Sequence, residues 1–181
     1  MFEISFLEAE AALVIIWLLL RCIVWARQGK INWKREAVLF LMFVNLAVII
    51  RFAFFPRALI NGRVQPLGFD RAKAISFRVN LIPLIHLFEY STIRDMIWNT
   101  VGNAAMFIPS GIILPVVYKK LDSFGKVLMA GAFLSLCIEF FQLPFSSRVS
   151  DVDDLILNTL GLAVGYGIYN GIRYLKRKKS I

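Results

Sequence analysis

Residues 7–25 have the sequence LEAEAALVIIWLLLRCIVW, in which Glu8, Glu10 and Arg21 are the only charged residues. A helix of about 20 predominantly apolar residues is long enough to cross the hydrocarbon core of a bilayer. The residues before this run are acidic rather than basic, and no small-residue cleavage site follows it, which argues against a secretory signal peptide. The run therefore predicts a transmembrane helix.

Four further apolar runs of similar length follow, at residues 37–55, 98–117, 127–143 and 154–174. Of the 181 residues, 59% are hydrophobic and only 18% are charged, whereas a soluble domain carries roughly a quarter charged residues. This composition excludes a disordered tail, a disulfide-stapled secreted mini-protein and an ordinary cytosolic enzyme. The sequence predicts an all-α, polytopic membrane helix bundle of about five transmembrane helices, forming a single membrane domain over residues 1–181.

Lysine and arginine are concentrated on one side of the predicted membrane. Twelve of the 21 lie in the short segments 27–35, 118–126 and 173–181. Seven lie in the segments on the opposite side of the predicted membrane, which are residues 1–8, 56–97 and 144–150. Because cytoplasmic loops carry the excess of basic residues, we predict the N-terminus outside and the C-terminus in the cytoplasm. The net charge of +9 therefore favours membrane lipids as a partner and argues against nucleic acid.

The connection over residues 56–97 is too long for a simple turn. Its first part is rich in Gly, Pro and Asn, which predicts a loop. Residues 71–88 are basic and apolar by turns, and they predict a short amphipathic stretch on the outer leaflet. Residues 81–90, which contain the lone histidine His86, are apolar but too short to span a bilayer. We predict an interfacial or re-entrant segment there.

Polar residues inside the apolar runs are informative, because a carboxylate in a span costs about 2.5–3.5 kcal/mol on insertion scales. Glu139 and Gln142 lie three residues apart on one face of the fourth predicted span. Asp151, Asp154 and Asn158 share one face of the fifth. Acidic residues at a helix N-terminus interact favourably with the helix dipole, so capping alone is one explanation of these aspartates.

The predicted spans bring these polar groups to one level near the outer face of the membrane. The candidate polar cluster consists of Asn99, Asn103, Glu139, Gln142, Arg148, Asp151, Asp153, Asp154 and Asn158. It is consistent with a buried hydrogen-bond network that holds three helices together and with a binding site for a ligand. Gly161 and Gly165 continue the same helix face and predict close helix packing, either inside the chain or in a homodimer.

The residues of this cluster also carry a family resemblance. Residues 80–170 resemble the VanZ-like family of bacterial integral membrane proteins, and we take them as the core of the single membrane domain. The matching motifs are Asn80-Leu81-Ile82-Pro83, Asn99 with Asn103, Phe107-Ile108-Pro109-Ser110-Gly111, Glu139-Phe140-Phe141-Gln142, Arg148, Asp151-Val152-Asp153-Asp154, Asn158-Thr159 and Gly161. Ser110 departs from the family pattern, in which leucine often precedes the glycine. The resemblance implies a multi-pass protein of the bacterial cell membrane.

The VanZ-like family takes its name from an accessory protein of glycopeptide-resistance clusters that lowers susceptibility to teicoplanin, a lipid-tailed antibiotic. The resemblance thus implies an envelope protein linked to lipoglycopeptide tolerance. An outward-facing polar cluster is compatible with binding or shielding a lipid headgroup, a lipid-linked wall precursor or a lipoglycopeptide. The residues that would bind it are the cations Arg71, Lys73, Arg78 and Arg148 and the amides Asn99, Asn103 and Gln142.

A membrane enzyme acting on a lipid-linked phosphate or acyl group is the alternative. Glu139 or Asp154 would then act as a general base, or the three aspartates at 151, 153 and 154 would hold a divalent cation. The sequence contains no Walker loop, no Ser–His pairing and no zinc-ligand spacing, and Cys22 and Cys137 lie inside apolar runs. A transporter would require ionisable residues near the midplane and an inverted repeat, whereas here the carboxylates lie toward one face and no repeat is visible. We predict no cofactor and no metal site, and leave catalysis open.

Overall fold

The computed structural model of the protein describes residues 2–56, 59–70, 79–83, 92–145 and 150–179. Five helices lie in this part of the chain: α1 (Phe6–Gln28), α2 (Trp33–Phe54), α3 (Ile93–Val117), α4 (Phe124–Gln142) and α5 (Val152–Lys178). Each is long and apolar enough to cross a membrane, which confirms the predicted class and the five predicted spans. The orientation of the termini stays a prediction.

Four helices, α1, α2, α3 and α5, begin before their apolar runs, each after a polar N-cap residue. The Ser5 hydroxyl accepts a hydrogen bond from the backbone N–H of Glu8, and the Glu8 carboxylate accepts one from the Ser5 N–H, so α1 begins at Phe6. Gly29, with φ 63°, ends α1 in the left-handed conformation that glycine adopts readily. No residue of α1 is buried, as expected of a helix whose apolar side chains face lipid.

Six short strands lie among the described residues, and those at 59–69 fall in the stretch that we predicted as loop. They are β1 (Phe2–Ile4), β2 (Leu59–Ile60), β3 (Arg63–Val64), β4 (Leu67–Phe69), β5 (Val79–Asn80) and β6 (Ser150–Asp151). β2 and β3 form a hairpin through Asn61 and Gly62, both with positive φ. β1 pairs antiparallel with β4, and β5 pairs parallel with β6. The predicted amphipathic stretch at 71–88 and the predicted interfacial segment at 81–90 lie largely outside the described residues.

Two compact units make up the chain, and the first contains residues 1–78 and 142–148. Within it the Trp17 ring packs against the rings of Phe40 and Phe43, with centroid distances of 5.9 and 4.9 Å. Arg51 lies at the end of α2, where its guanidinium donates to the carbonyl oxygens of Phe55 and Pro56. These contacts satisfy a cation that lies inside an apolar run.

An ion pair joins the two helices of this first unit. The Arg21 guanidinium of α1 donates two hydrogen bonds to the Glu36 carboxylate of α2, one of them 2.8 Å long from Nε. Their side chains are only 12% and 11% exposed. A two-point contact of this kind is geometrically specific, and it explains how Arg21 is accommodated in a span.

Breaking this ion pair from one side is expected to destabilise the protein more than replacing both partners. Arg21→Met leaves a charged Glu36 in an apolar setting, which costs about 3–5 kcal/mol for a buried pair. The double variant Arg21→Met/Glu36→Met leaves no charge unpaired and should recover most of that loss. Thermal unfolding of the purified protein in detergent measures both.

The exposed pair Lys126–Asp122 provides the control for this experiment. Lys126 Nζ donates to Asp122 Oδ1 over 2.7 Å, and this hydrogen bond lowers the pKa of the Asp122 carboxyl. Exposed pairs contribute at most about 1 kcal/mol, so Lys126→Gln should change the unfolding temperature little. A double variant at Arg21 and Glu36 that is no more stable than Arg21→Met alone would contradict the assigned cost of the unpaired charge.

The second unit contains residues 79–141 and 149–181, and α3 packing along α5 dominates it. A Cβ built on Gly161 would run into the backbone carbonyl of Ala104, and one on Gly165 into that of Ile108. Because 104 faces 161 and 108 faces 165, the two helices run parallel in close backbone contact. The predicted close approach at these glycines is therefore made inside the chain.

Candidate functional site

Several of the predicted polar residues meet near the start of α5. Asp151 is the N-cap residue of that helix, and its Oδ1 accepts a 2.9 Å hydrogen bond from the backbone N–H of Asp153. The same oxygen accepts a 3.1 Å hydrogen bond from the side-chain amide of Asn80 in β5. Capping, which was one of the two explanations of the aspartates, is thus part of the role of Asp151. The second hydrogen bond ties the strand β5 to the helix end.

Glu139, near the C-terminal end of α4, is 6% exposed and turns toward the start of α5. Its Oε2 accepts a 3.1 Å hydrogen bond from the backbone N–H of Asp151, and its carboxylate also accepts one from the Ser150 hydroxyl. Asp151 and Asp154 lie within electrostatic range of the same carboxylate. Three carboxyl groups therefore share one end of the helices.

Asp154 and Asn158 extend the cluster along one face of α5, as their spacing predicts. Asp154 Oδ1 accepts a hydrogen bond from the side-chain amide of Asn103 in α3. Asn158 is 5% exposed, and its amide Nδ2 donates to the Ser135 hydroxyl oxygen of α4 over 2.9 Å. Consecutive turns of α5 thus bind polar groups of two different helices.

The Asn158 amide has hydrogen-bonding capacity left over. Its Oδ1 is buried without a hydrogen-bond partner among the described residues. Exchanging the amide O and N would bring the oxygen to the Ser135 hydroxyl and leave the nitrogen unmatched, so one polar atom is unsatisfied in either assignment. A bound water or ligand group is one explanation of a buried polar atom in this state.

Two members of the predicted cluster, Asn99 and Gln142, donate to backbone carbonyls away from the start of α5. The Asn99 amide donates to the Asp95 carbonyl of its own helix over 2.9 Å. Gln142 belongs to the first unit, where its amide donates to the Ala53 carbonyl. Asp153 is buried beside the cap, and Arg148 lies outside the described residues, as do Arg71, Lys73, Arg78 and His86. The described contacts therefore gather Asn103, Glu139, Asp151, Asp154 and Asn158.

Three contributors were absent from the predicted cluster: Asn80, Ser135 and Ser150. Ser135 lies four residues before Glu139, so its polar side chain in the middle of an apolar run was a usable signal. Asn80 lies 71 positions before Asp151 in the sequence, and no local sequence pattern predicts that the two residues meet. Their contact depends on the parallel pairing of Asn80 with Asp151 in β5 and β6.

The described residues contain no group of three His, Cys, Asp or Glu side chains that could hold a metal ion. In the divalent-cation hypothesis, the three aspartates at 151, 153 and 154 would direct their carboxylates to one point. Instead the Asp151 carboxylate accepts hydrogen bonds from a backbone N–H and from Asn80, and Asp154 accepts one from Asn103. The cluster therefore contains the carboxylates of Glu139, Asp151 and Asp154 as hydrogen-bond acceptors, together with the Asn158 amide, which has one unsatisfied polar atom.

Comparisons of the sequence with known proteins identify a relative and a family. Protein VanZ of Enterococcus faecium is 36% identical over 92 residues, which are 48% of this chain and 51% of that relative. The chain therefore spans about half the length of the curated relative that it matches. No solved structure gives a significant match. The sequence profile of the VanZ/LLP1 family matches residues 11–174 of this chain. The chain, which has five helices able to span a membrane, therefore belongs to the VanZ/LLP1 family as a multi-pass membrane protein.

Proposed function

We propose that this protein lies in the bacterial cell membrane and binds the polar head of an envelope lipid or lipid-linked wall precursor at the outer leaflet. The binding site is the polar cluster at the start of α5. By occupying or shielding such a head group, the protein would lower susceptibility to lipid-tailed glycopeptides such as teicoplanin. Its membership of the VanZ/LLP1 family supports the link to the envelope.

The observation that carries this proposal is the buried, unsatisfied amide of Asn158. It lies one turn further along α5 than Asp154, whose carboxylate is near that of Glu139. The Glu139 carboxylate accepts hydrogen bonds from the Asp151 N–H and the Ser150 hydroxyl, and an ionised carboxylate offers about four acceptor positions. Amide, hydroxyl and ammonium groups are the donors that such a site prefers. Wall precursors and glycopeptides are rich in these groups, since they are built from sugars and peptides.

The position of the cluster supports binding at a membrane surface. Asn103 is in the N-terminal half of α3, Asp154 is at the N-terminus of α5, and Glu139 is near the C-terminus of α4. By the distribution of basic residues this end of the helices faces outward. A phosphate on the same ligand would bind the cations predicted for the site, of which Arg148 follows α4 in sequence.

The contacts support binding better than catalysis. Glu139 accepts the Asp151 N–H and the Ser150 hydroxyl, so the hydrogen bonds described for it order the start of α5. Asp151 is likewise occupied by the N-terminus of α5 and by Asn80. These hydrogen bonds hold the site in shape.

Glu139→Gln tests the proposal because it removes the charge and keeps the size of the side chain. We expect wild-type protein to raise the inhibitory concentration of teicoplanin in a susceptible bacterium, and Glu139→Gln to abolish the increase at equal protein level in the membrane. Native mass spectrometry with a lipid-linked disaccharide-peptide precursor should show binding to the wild type and loss of binding in Glu139→Gln. Asn158→Leu should lose the same binding.

Asp122→Asn is the matched control, because it removes one exposed carboxylate at the opposite end of the helices. It should leave precursor binding and teicoplanin tolerance unchanged. If wild-type protein neither binds the precursor nor raises the inhibitory concentration of teicoplanin, the proposal is wrong. If Glu139→Gln behaves as wild type in both assays, the cluster is a structural network only.

A further inference from the structure

A groove of about 660 Å³ lies between α3 and α5 at the end of the helices opposite to the polar cluster. Ile112 and Val116 of α3 form one wall, and Tyr169 and Ile172 of α5 form the other. Arg173, Lys176 and Arg177 of α5 line its end. These α5 residues, at positions 169, 172, 173, 176 and 177, recur with the helical period and share one helix face. The basic side chains on this face follow directly on the apolar ones.

The basic end of the groove has no acidic residue near it in sequence. Neither α5 after Asp154 nor the chain from 96 to 121, which includes the second half of α3, contains an aspartate or glutamate. Asp122, the next acidic residue along the chain, is paired with Lys126. The three basic side chains of α5 give this end of the apolar groove its basic character.

The groove lies on helices that span the membrane, so lipid is the medium that meets its apolar walls. Val116 and Ile172 are 47% and 46% exposed, which leaves the walls open to an acyl chain. Basic pockets between transmembrane helices on the cytoplasmic side are sites at which anionic head groups bind. The groove combines that charge with an adjoining apolar channel.

We propose that this groove is a specific binding site for an anionic glycerophospholipid of the inner leaflet. Its phosphate binds Arg173, Lys176 and Arg177, and the upper part of one acyl chain lies along Ile112, Val116 and Ile172. Arginine suits this task because its guanidinium donates two parallel hydrogen bonds to phosphate oxygens. The site is separate from the polar cluster, so it does not depend on the proposed function.

The proposal is tested by titrating the full-length protein with palmitoyl-oleoyl phosphatidylglycerol and, separately, with phosphatidylcholine of the same acyl chains. Native mass spectrometry counts the bound lipids in each titration. Wild-type protein should bind one phosphatidylglycerol in preference to phosphatidylcholine. Arg173→Gln/Lys176→Gln/Arg177→Gln should weaken that binding by about tenfold or more, since each basic residue near the head group contributes appreciably.

Lys120→Gln/Lys178→Gln/Lys179→Gln is the matched control, because it removes the same charge from the same end of the helices without changing a groove residue. It should weaken phosphatidylglycerol binding by less than about twofold. Val116→Trp fills the apolar wall and keeps every charge, so it should also weaken binding. This variant tests the groove even if the triple variant does not fold.

Equal losses in the two triple variants would show diffuse attraction between charges and would overturn the proposal. Equal wild-type affinity for the two lipids would overturn it as well. Val116→Trp binding phosphatidylglycerol as tightly as wild type would exclude the acyl chain from the groove. Glu139→Gln should leave phosphatidylglycerol binding unchanged, which separates this site from the polar cluster.

Discussion

Gly161→Ala is expected to lower the thermal stability of the protein, whereas Gly167→Ala should leave it unchanged or raise it. The new Cβ at 161 would run into the backbone carbonyl of Ala104, which has no flexible side chain to move aside. Overpacking of this kind costs about 1–3 kcal/mol or more. At Gly167 a Cβ meets nothing within 4 Å, and alanine favours the helix by about 0.8–1.0 kcal/mol.

The two variants have the same chemical change on the same helix, so their difference isolates the contact between α3 and α5. For a chain of this length, about 1 kcal/mol corresponds to about 2–4 °C in unfolding temperature. Fluorescence-detected thermal unfolding in detergent resolves such shifts. Gly161→Leu should enlarge the effect, since a longer side chain requires the helices to separate. Equal unfolding temperatures for Gly161→Ala and Gly167→Ala would contradict the close packing at Ala104.

Glu139→Leu is expected to destabilise the second unit, and Glu139→Gln to retain nearly wild-type stability. Leucine leaves the Asp151 N–H and the Ser150 hydroxyl without their acceptor, at a cost of about 1–3 kcal/mol for each buried group. Glutamine keeps a carbonyl oxygen that accepts the Asp151 N–H, so it should cost less than about 1 kcal/mol.

Hydrogen exchange at the start of α5 adds a local measurement to the unfolding temperature. The amide of Asp151 should exchange faster in Glu139→Leu than in wild type because its N–H loses the Glu139 acceptor, and the amide of Asp153 should follow to a smaller extent because its own acceptor, Asp151 Oδ1, is then held less firmly. Phe140→Leu, which changes a 62% exposed side chain next to Glu139, should change neither quantity. Leucine and glutamine variants of equal stability would show that the Glu139 carboxylate does not order the start of α5.

The five helices were predictable because each is encoded by its own run of apolar residues. Insertion into lipid depends on the summed hydrophobicity of about 20 consecutive residues, and this is a local property of the sequence. The strands were not predictable for the opposite reason. Strands of two or three residues, such as β1 and β4, have no periodicity of their own, and their pairing joins distant parts of the first unit.

The polar cluster was predictable only in part. Helical spacing placed Asp154 and Asn158 on the face that also carries Gly161, and these residues do face α3 or α4. Gln142 and Asn99 also have suitable spacing, yet their amides donate to Ala53 and Asp95 carbonyls. An amide side chain has several possible acceptors within reach, and the spacing of residues along one helix does not determine which acceptor it binds.

The sequence by itself determined the membrane location, the number of helices, the family and the face of α5 that is polar and rich in glycine. These follow from local hydropathy, helical period and motif order, each of which is written in consecutive residues. Only the tertiary structure decided which neighbour each polar group binds: Asn103 for Asp154, Ser135 for Asn158, and the start of α5 for Glu139. It also placed Arg173 and Ile112 in one groove. The physical reason is that hydrogen bonds and close contacts depend on distances between segments far apart in the chain.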